Sequence, residues 1–155
     1  MDAADDLTSL DPAYKSLMRV QLAIVAAVLL VAASIAEVAI PGWTGAVGIP
    51  ALLVAAYALI RVPLRRYHAR GYALAGERLR VVRGVIFRKD TVVPFGRVQH
   101  IDVGQGPLER FFHLATLTVH TAGTHNASVA LPGLKHDTAV AMREDIRTAI
   151  RRDTR

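Results

Sequence analysis

The stretch "VPFGRVQHIDVGQGPLERFFHLATLTVHTAG" (Val93–Gly123) decides how this chain is read. It holds His100, Asp102, His113 and His120 around a Gly104-Gln105-Gly106 step. Such residues are raw material for a metal centre or an acid–base cluster, and equally for the wet face of a sheet. Periodicity favours the sheet. In Arg97–Val103, Gln99, Ile101 and Val103 fall on one face and Val98, His100 and Asp102 on the other. In Ala115–Thr121, Ala115, Leu117 and Val119 alternate with Thr116, Thr118 and His120. Between these strands, Gly106 suits a helix N-cap and Pro107 a first helical residue. That predicts a short helix ending at Phe112 or His113, with Leu108, Phe111 and Phe112 buried against the sheet.

Outward from this core the pattern continues. "RYHARGYAL" (Arg66–Leu74) alternates loosely, and Ala75-Gly76-Glu77 reads as a turn. "RLRVVRG" (Arg78–Gly84) and "FRKDTVVPF" (Phe87–Phe95) read as strands. "ASVAL" (Ala127–Leu131) is a further strand, entered past a hairpin tip at His125-Asn126 and ended by Pro132-Gly133. The last segment has Ala139, Met142, Ile146, Ala149 and Ile150 at helical spacing, which predicts an amphipathic helix over about 137–152. Asp137 in its first turn and Arg147, Arg151 and Arg152 toward its end match the helix dipole. Six antiparallel strands followed by one helix suggest a small bent sheet plugged at its open end.

The N-terminal third is of another kind. Val20–Ile40 and Trp43–Val62 are apolar runs, interrupted only by Gln21, Ser34, Glu37 and Arg61 near their ends and by Thr44. A span needs roughly 20 apolar residues, and each run supplies them. Pro50 predicts a kink or a helix that effectively starts near Ile49. Joined by a short turn at Pro41-Gly42, the helices must be antiparallel, and the small residues Ala23, Ala26, Ala27, Ala33, Gly45, Ala55 and Ala56 allow close approach. Trp43, Tyr57 and Tyr67 suit the membrane interface. Lys15 and Arg19 precede the hairpin, Arg61, Arg65, Arg66 and Arg70 follow it, and the turn has neither Lys nor Arg. The positive-inside rule then places both ends in the cytoplasm. An acidic start, a long run and a second run all argue against a cleaved signal peptide. The expected division is a cytoplasmic segment 1–18, a transmembrane hairpin 19–62 with helices at about 19–40 and 43–62, and a cytoplasmic domain 63–155 with its closing helix.

Composition agrees with a membrane protein. The chain has 155 residues, 52% of them hydrophobic, and a mean hydropathy of +0.31. It has 0 Cys, which removes disulfides, thiolate ligands and a cysteine nucleophile together. From Arg61 onward there are 17 Lys and Arg against 8 Asp and Glu, a net +9. That charge suits anionic lipid or an acidic partner. Nothing resembles a recognition helix or stacking platform, so nucleic acid is not expected.

The same words in the same order resemble a known family. Two apolar helices precede RLRVVRG (Arg78–Gly84), VPFGRVQHIDV (Val93–Val103), the QGPLER-F-LATL segment (Gln105–Leu117) and TAG (Thr121–Gly123), and an amphipathic helix follows. This is similar to the bacterial pleckstrin-homology (PH) membrane proteins of the YdbS-like type, over nearly the whole chain. The resemblance implies an α+β domain, a PH-like bent antiparallel barrel or sandwich of about seven strands capped by the C-terminal helix. It also implies a non-enzymatic, membrane-tethered module, often found beside a larger membrane protein with repeated domains of this kind. Phosphoinositide-binding PH domains use a basic cluster in their first hairpin. Only Arg78 and Arg80 stand at that place, too few to transfer the ligand.

Three functional readings follow. In the first, the domain is an interaction module binding a membrane-protein partner or a second copy, with His100, Asp102, Thr116, Thr118 and His120 as the candidate partner-binding face. Addition of a strand to a sheet edge is one route. In the second, Arg61, Arg65, Arg66, Arg70, Arg78 and Arg80, with Arg83, Arg88 and Lys89, contact anionic headgroups. In the third, which the residue pattern favours least, His100, Asp102 and His120 hold zinc or do acid–base work. No catalytic residue, metal or cofactor is expected. Gly104-Gln105-Gly106 lacks the Lys-Ser/Thr ending of a phosphate loop.

Overall fold

The computed structural model describes residues 7–39, 45–122 and 128–153. The expected Pro41-Gly42 turn, the Trp43 anchor and the His125-Asn126 tip lie outside them. The chain forms two compact units, one of residues 15–65 and one of residues 1–14 with 66–155.

The first unit is helical. Helix α1 spans Ala13–Ala39 and α2 spans Gly48–His68, and both are long and apolar enough to cross a membrane. Within this unit they flank an apolar cleft of about 400 Å³, lined by Leu22, Val25, Ala26 and Leu29 on one side and Ala51, Val54, Ala55 and Ala58 on the other. Of the small residues expected to permit approach, Ala26 and Ala55 are part of that lining. Glu37, the charge near the end of the first run, has a structural use. Its Oε1 accepts from the Val47 and Gly48 N–H groups at 2.9 and 2.7 Å, satisfying donors that the start of α2 leaves free. Helix α1 starts earlier than the expected 19, at Ala13, while α2 starts later than the expected 43, at Gly48, and runs past 62. Pro50 falls in the first turn of α2, where a missing N–H costs nothing. The helix then continues through Pro63 to His68, so Tyr67 is helical rather than part of a strand.

The second unit contains two antiparallel three-stranded sheets, ordered β1-β2-β3 and β4-β5-β6. The strands are β1 Gly71–Ala75, β2 Arg78–Arg83, β3 Lys89–Pro94, β4 Val98–Gly104, β5 Leu114–Thr121 and β6 Ser128–Lys135. A short 3-10 turn, Phe95–Arg97, separates β3 from β4. The two sheets are not hydrogen-bonded into a closed barrel, and six strands, not seven, are present among the described residues. The short helix α3 is Pro107–Phe111 and the closing helix α4 is His136–Asp153. Helix α4 packs on β4, β5, β6 and the 3-10 turn. Its predicted stripe supplies Ala139, Met142 and Ile146, all buried with Leu114, Ala115, Leu117, Val119 and Leu131.

Three expectations are corrected. None of the three side chains expected to bury at α3 does so fully: Phe111 is 76% exposed and Leu108 and Phe112 are half-buried, because a helix of five residues has too little face to cover them. Strand β6 runs through Pro132-Gly133 to Lys135 instead of ending there. The pairing with β5 is irregular between Ala115 and Leu117, and such a bulge accommodates a proline that cannot donate. The segment before α1, expected as a separate cytoplasmic stretch 1–18, is bonded into the domain. Thr8 and Tyr72 exchange backbone hydrogen bonds of 2.8 and 3.1 Å, Tyr67 Oη donates to the Leu10 carbonyl at 2.7 Å, and the Asp11 N–H donates to the Gly133 carbonyl at 2.9 Å. Gly133 has φ +77°, and a Cβ there would lie 2.6 Å from Tyr14 Cγ. Residues 7–14 therefore belong to the domain that residues 66–155 build.

Candidate functional site

The opening stretch contains two polar clusters of opposite kind. The first is a structural corner. The Gly106 N–H donates to Glu109 Oε2 at 2.8 Å, and Thr116 Oγ1 donates to Glu109 Oε1 at 2.6 Å. Gln105 Nε2 donates to the Leu114 carbonyl at 2.7 Å. One carboxylate thus caps α3 and ties it to β5, while Gln105 closes the loop beneath. His113 adopts the left-handed conformation, φ 54°, that reverses the chain after α3. This explains the "QGPLER…LATL" wording physically. Within the candidate partner face, the Thr116 hydroxyl is thus engaged by Glu109.

The second cluster is the sharper candidate. His100 and His120 are directly opposite across β4 and β5, not diagonal, and Asp102 faces Thr118. The imidazole planes lie 5.9 Å apart between centroids. Asp102 sits between them, with Oδ1 2.8 Å from His100 Nε2 and Oδ2 3.3 Å from His120 Nε2. Each carboxylate oxygen serves one imidazole, which is hydrogen bonding rather than convergence on a shared point. Among the described residues no group of three or more His, Cys, Asp or Glu is arranged to hold a metal. The three side chains are open to water, where such pairs contribute only about 0–1 kcal/mol and no water-excluded pocket sharpens their chemistry.

Beside this face lies a groove of about 750 Å³. Five consecutive residues, Val98–Asp102, line one wall, and Arg143, Arg147, Ile150 and Arg151 the other. Consecutive strand residues point to opposite faces, so the groove follows the edge of β4 rather than either face. In the order β4-β5-β6 that edge has no neighbouring strand among the described residues. The helix wall is basic and partly self-neutralised: Glu144 accepts from Arg143 Nε at 3.0 Å and Arg147 Nη1 at 3.5 Å. Arg143 holds the Glu144 carboxyl below the usual carboxylate range. Sequence periodicity located the histidines but not this groove, whose second wall comes from residues some forty positions later.

The basic residues expected at headgroups divide. Arg80 is committed to Asp90 across β2 and β3, with Nε 3.0 Å from both carboxylate oxygens. The hydrogen bond from Arg80 lowers the Asp90 carboxyl below its ordinary range. Arg70 Nη1 donates to Tyr14 Oη, and its guanidinium lies over the same ring, 5.6 Å from the centroid. Arg61 stacks over Tyr57 at 5.8 Å. Arg65, Arg66 and Arg78 are exposed, as are Arg88 and Lys89 beyond β2.

Against known proteins, a family model described as bacterial PH domain matches residues 16–150, which takes in both apolar helices and both sheets. The chain is 30% identical over 107 residues to the UPF0699 transmembrane protein YdbS of Bacillus subtilis (strain 168), covering 68% of this chain and 65% of that protein. The chain thus spans about two thirds of the length of the curated relative it matches. No solved structure matches it.

Proposed function

Because the chain belongs to the bacterial PH domain family and has two helices of membrane length, we propose that it is a membrane-anchored interaction module without catalytic activity. Its two helices form a transmembrane hairpin, and the flanking Lys and Arg place both ends of the hairpin at the cytoplasmic face. The domain there docks a partner membrane protein or a second copy of itself. The observation that carries this reading is the groove along the unpaired edge of β4, walled by α4. An edge strand offers a row of backbone donors and acceptors, and an extended segment added there gains main-chain hydrogen bonds. The tethers support it too. Residues 7–14 and 66–71, the two chain segments on either side of the hairpin, are both bonded within the domain. A domain held at two points is a stable platform for docking.

The test is a photoreactive amino acid at Gln99, exposed on β4, compared with one at Ala141, exposed on α4 but outside the groove. Irradiation of native membranes is expected to give a discrete adduct from position 99 and none from 141. An adduct of twice the chain mass identifies self-association, and another mass a partner. No protein adduct from 99 overturns the reading.

A further inference from the structure

The hairpin between β2 and β3 turns through "GVIFRK" (Gly84–Lys89). Its tip is apolar and bare: Ile86 is 85% exposed, Phe87 86% and Val85 48%. Outside the two long helices no other large apolar side chain among the described residues is as exposed as Ile86 and Phe87. The turn is built, not loose. Gly84 has φ +121°, and a Cβ on it would lie 1.8 Å from the Phe87 carbonyl oxygen. Only glycine closes this turn, and closing it directs the apolar side chains outward. Exposed Arg88 and Lys89 stand directly behind the tip, and half-exposed Arg83 on the opposite strand. Asp90, the acid next in sequence, forms its ion pair with Arg80.

The root of this loop has a defined neighbourhood. Gly84 and Arg88 line a cleft of about 330 Å³ together with Tyr67, His68 and Arg70, the residues through which the chain leaves α2. The root of the loop therefore lies beside residues 67–70, where the chain enters the domain.

We infer that Val85-Ile86-Phe87 inserts into the interfacial layer of the bilayer, with Arg83, Arg88 and Lys89 against anionic headgroups. An apolar tip with a cationic collar matches that layer, where apolar side chains enter the acyl boundary and bases meet phosphate. A protein pocket would satisfy the apolar tip alone. The bilayer satisfies both and is already within reach of the covalent tether. The insertion adds a third point of attachment, fixing the tilt of the domain and hence the direction in which the β4 groove faces. It rests on the membrane anchor proposed above, but not on partner docking.

Having 0 Cys, the chain accepts a single nitroxide label without other changes. The full-length protein with Ile86→Cys, labelled and placed in nanodiscs of phosphatidylcholine and phosphatidylglycerol, is compared with Thr148→Cys, exposed on α4. Collision with oxygen, relative to a water-soluble nickel chelate, is expected to be several-fold higher at 86 than at 148. Replacing Arg88 and Lys89 by Gln is expected to reduce that ratio. Equal ratios at 86 and 148 overturn the inference. So does protection at 86 from both reagents alike, the signature of a protein contact. Loss of the position-99 adduct with insertion intact counts against docking alone.

Discussion

The two sheets of the domain have equal strand numbers and the same antiparallel order, yet they are finished differently. The second has α4 laid on all three of its strands, and its corner is locked by Gln105 and Glu109. What it offers outward is polar: a strand edge, an arginine-lined wall and the His100–Asp102–His120 cluster. The first sheet extends Val85, Ile86 and Phe87 into solvent from a turn that only glycine closes. In the functions proposed above, one sheet holds its shape beside a partner and the other offers apolar surface to lipid. Within one small domain, what covers a sheet matters more to its role than how its strands pair.

The largest expected effect comes from uncovering the second sheet. Ile146→Ala removes a fully buried side chain where α4 meets it. Such truncations cost about 2–5 kcal/mol, which denaturant unfolding of the solubilised full chain reads directly. Insertion of the loop at Ile86, which belongs to the other sheet, is expected to survive.

Next is the turn of the first sheet. Gly84→Ala must displace the Phe87 carbonyl and is expected to cost about 1–3 kcal/mol, with the oxygen accessibility of a label at 86 falling. Unchanged stability and accessibility would mean that the turn does not set the loop.

Glu109→Ala leaves the Thr116 hydroxyl and the Gly106 N–H without their partner. A loss of about 1–3 kcal/mol is expected, whereas Glu109→Ala at no cost would make the corner ornamental. Smallest is the cross-strand pair on the first sheet. Asp90 is lowered in the folded state by Arg80. Its contribution is therefore present above the unfolded carboxylate value and is lost as pH falls through the lower folded value. Asp90→Asn should flatten the acid limb of the stability–pH curve without changing stability measurably in salt. An unaltered acid limb would show that the pair does not matter.

Much of this was legible in the sequence, because burial on one face writes itself as alternation. Ala115, Leu117 and Val119 are buried as the period-two pattern requires, and Ala139, Met142 and Ile146 as the helical one does. The two apolar runs needed only length. What escaped reading were features set by distant partners. Nothing in "LTSLDPAY" announces that Thr8 pairs with Tyr72 or that Asp11 meets Gly133. Pro132-Gly133 reads as a strand end, yet here it serves a bulge where Tyr14 packs. Two aromatic residues run against their sequence setting: Phe111 invites burial and is exposed, and Phe87, at the head of a strand-like run, stands bare at a turn. Of the candidate partner face, the histidines and Asp102 come together as their register allows, and the Thr116 hydroxyl is engaged by Glu109, a residue of α3.

Both roles assigned to the sheets require the domain to lie at the anionic, cytoplasmic face of the membrane. A single cysteine at Arg155 can be probed with a membrane-impermeant maleimide in intact spheroplasts and again after the membrane is opened. Labelling only after opening is expected. Labelling of intact spheroplasts would place the domain outside and contradict partner docking and loop insertion as described.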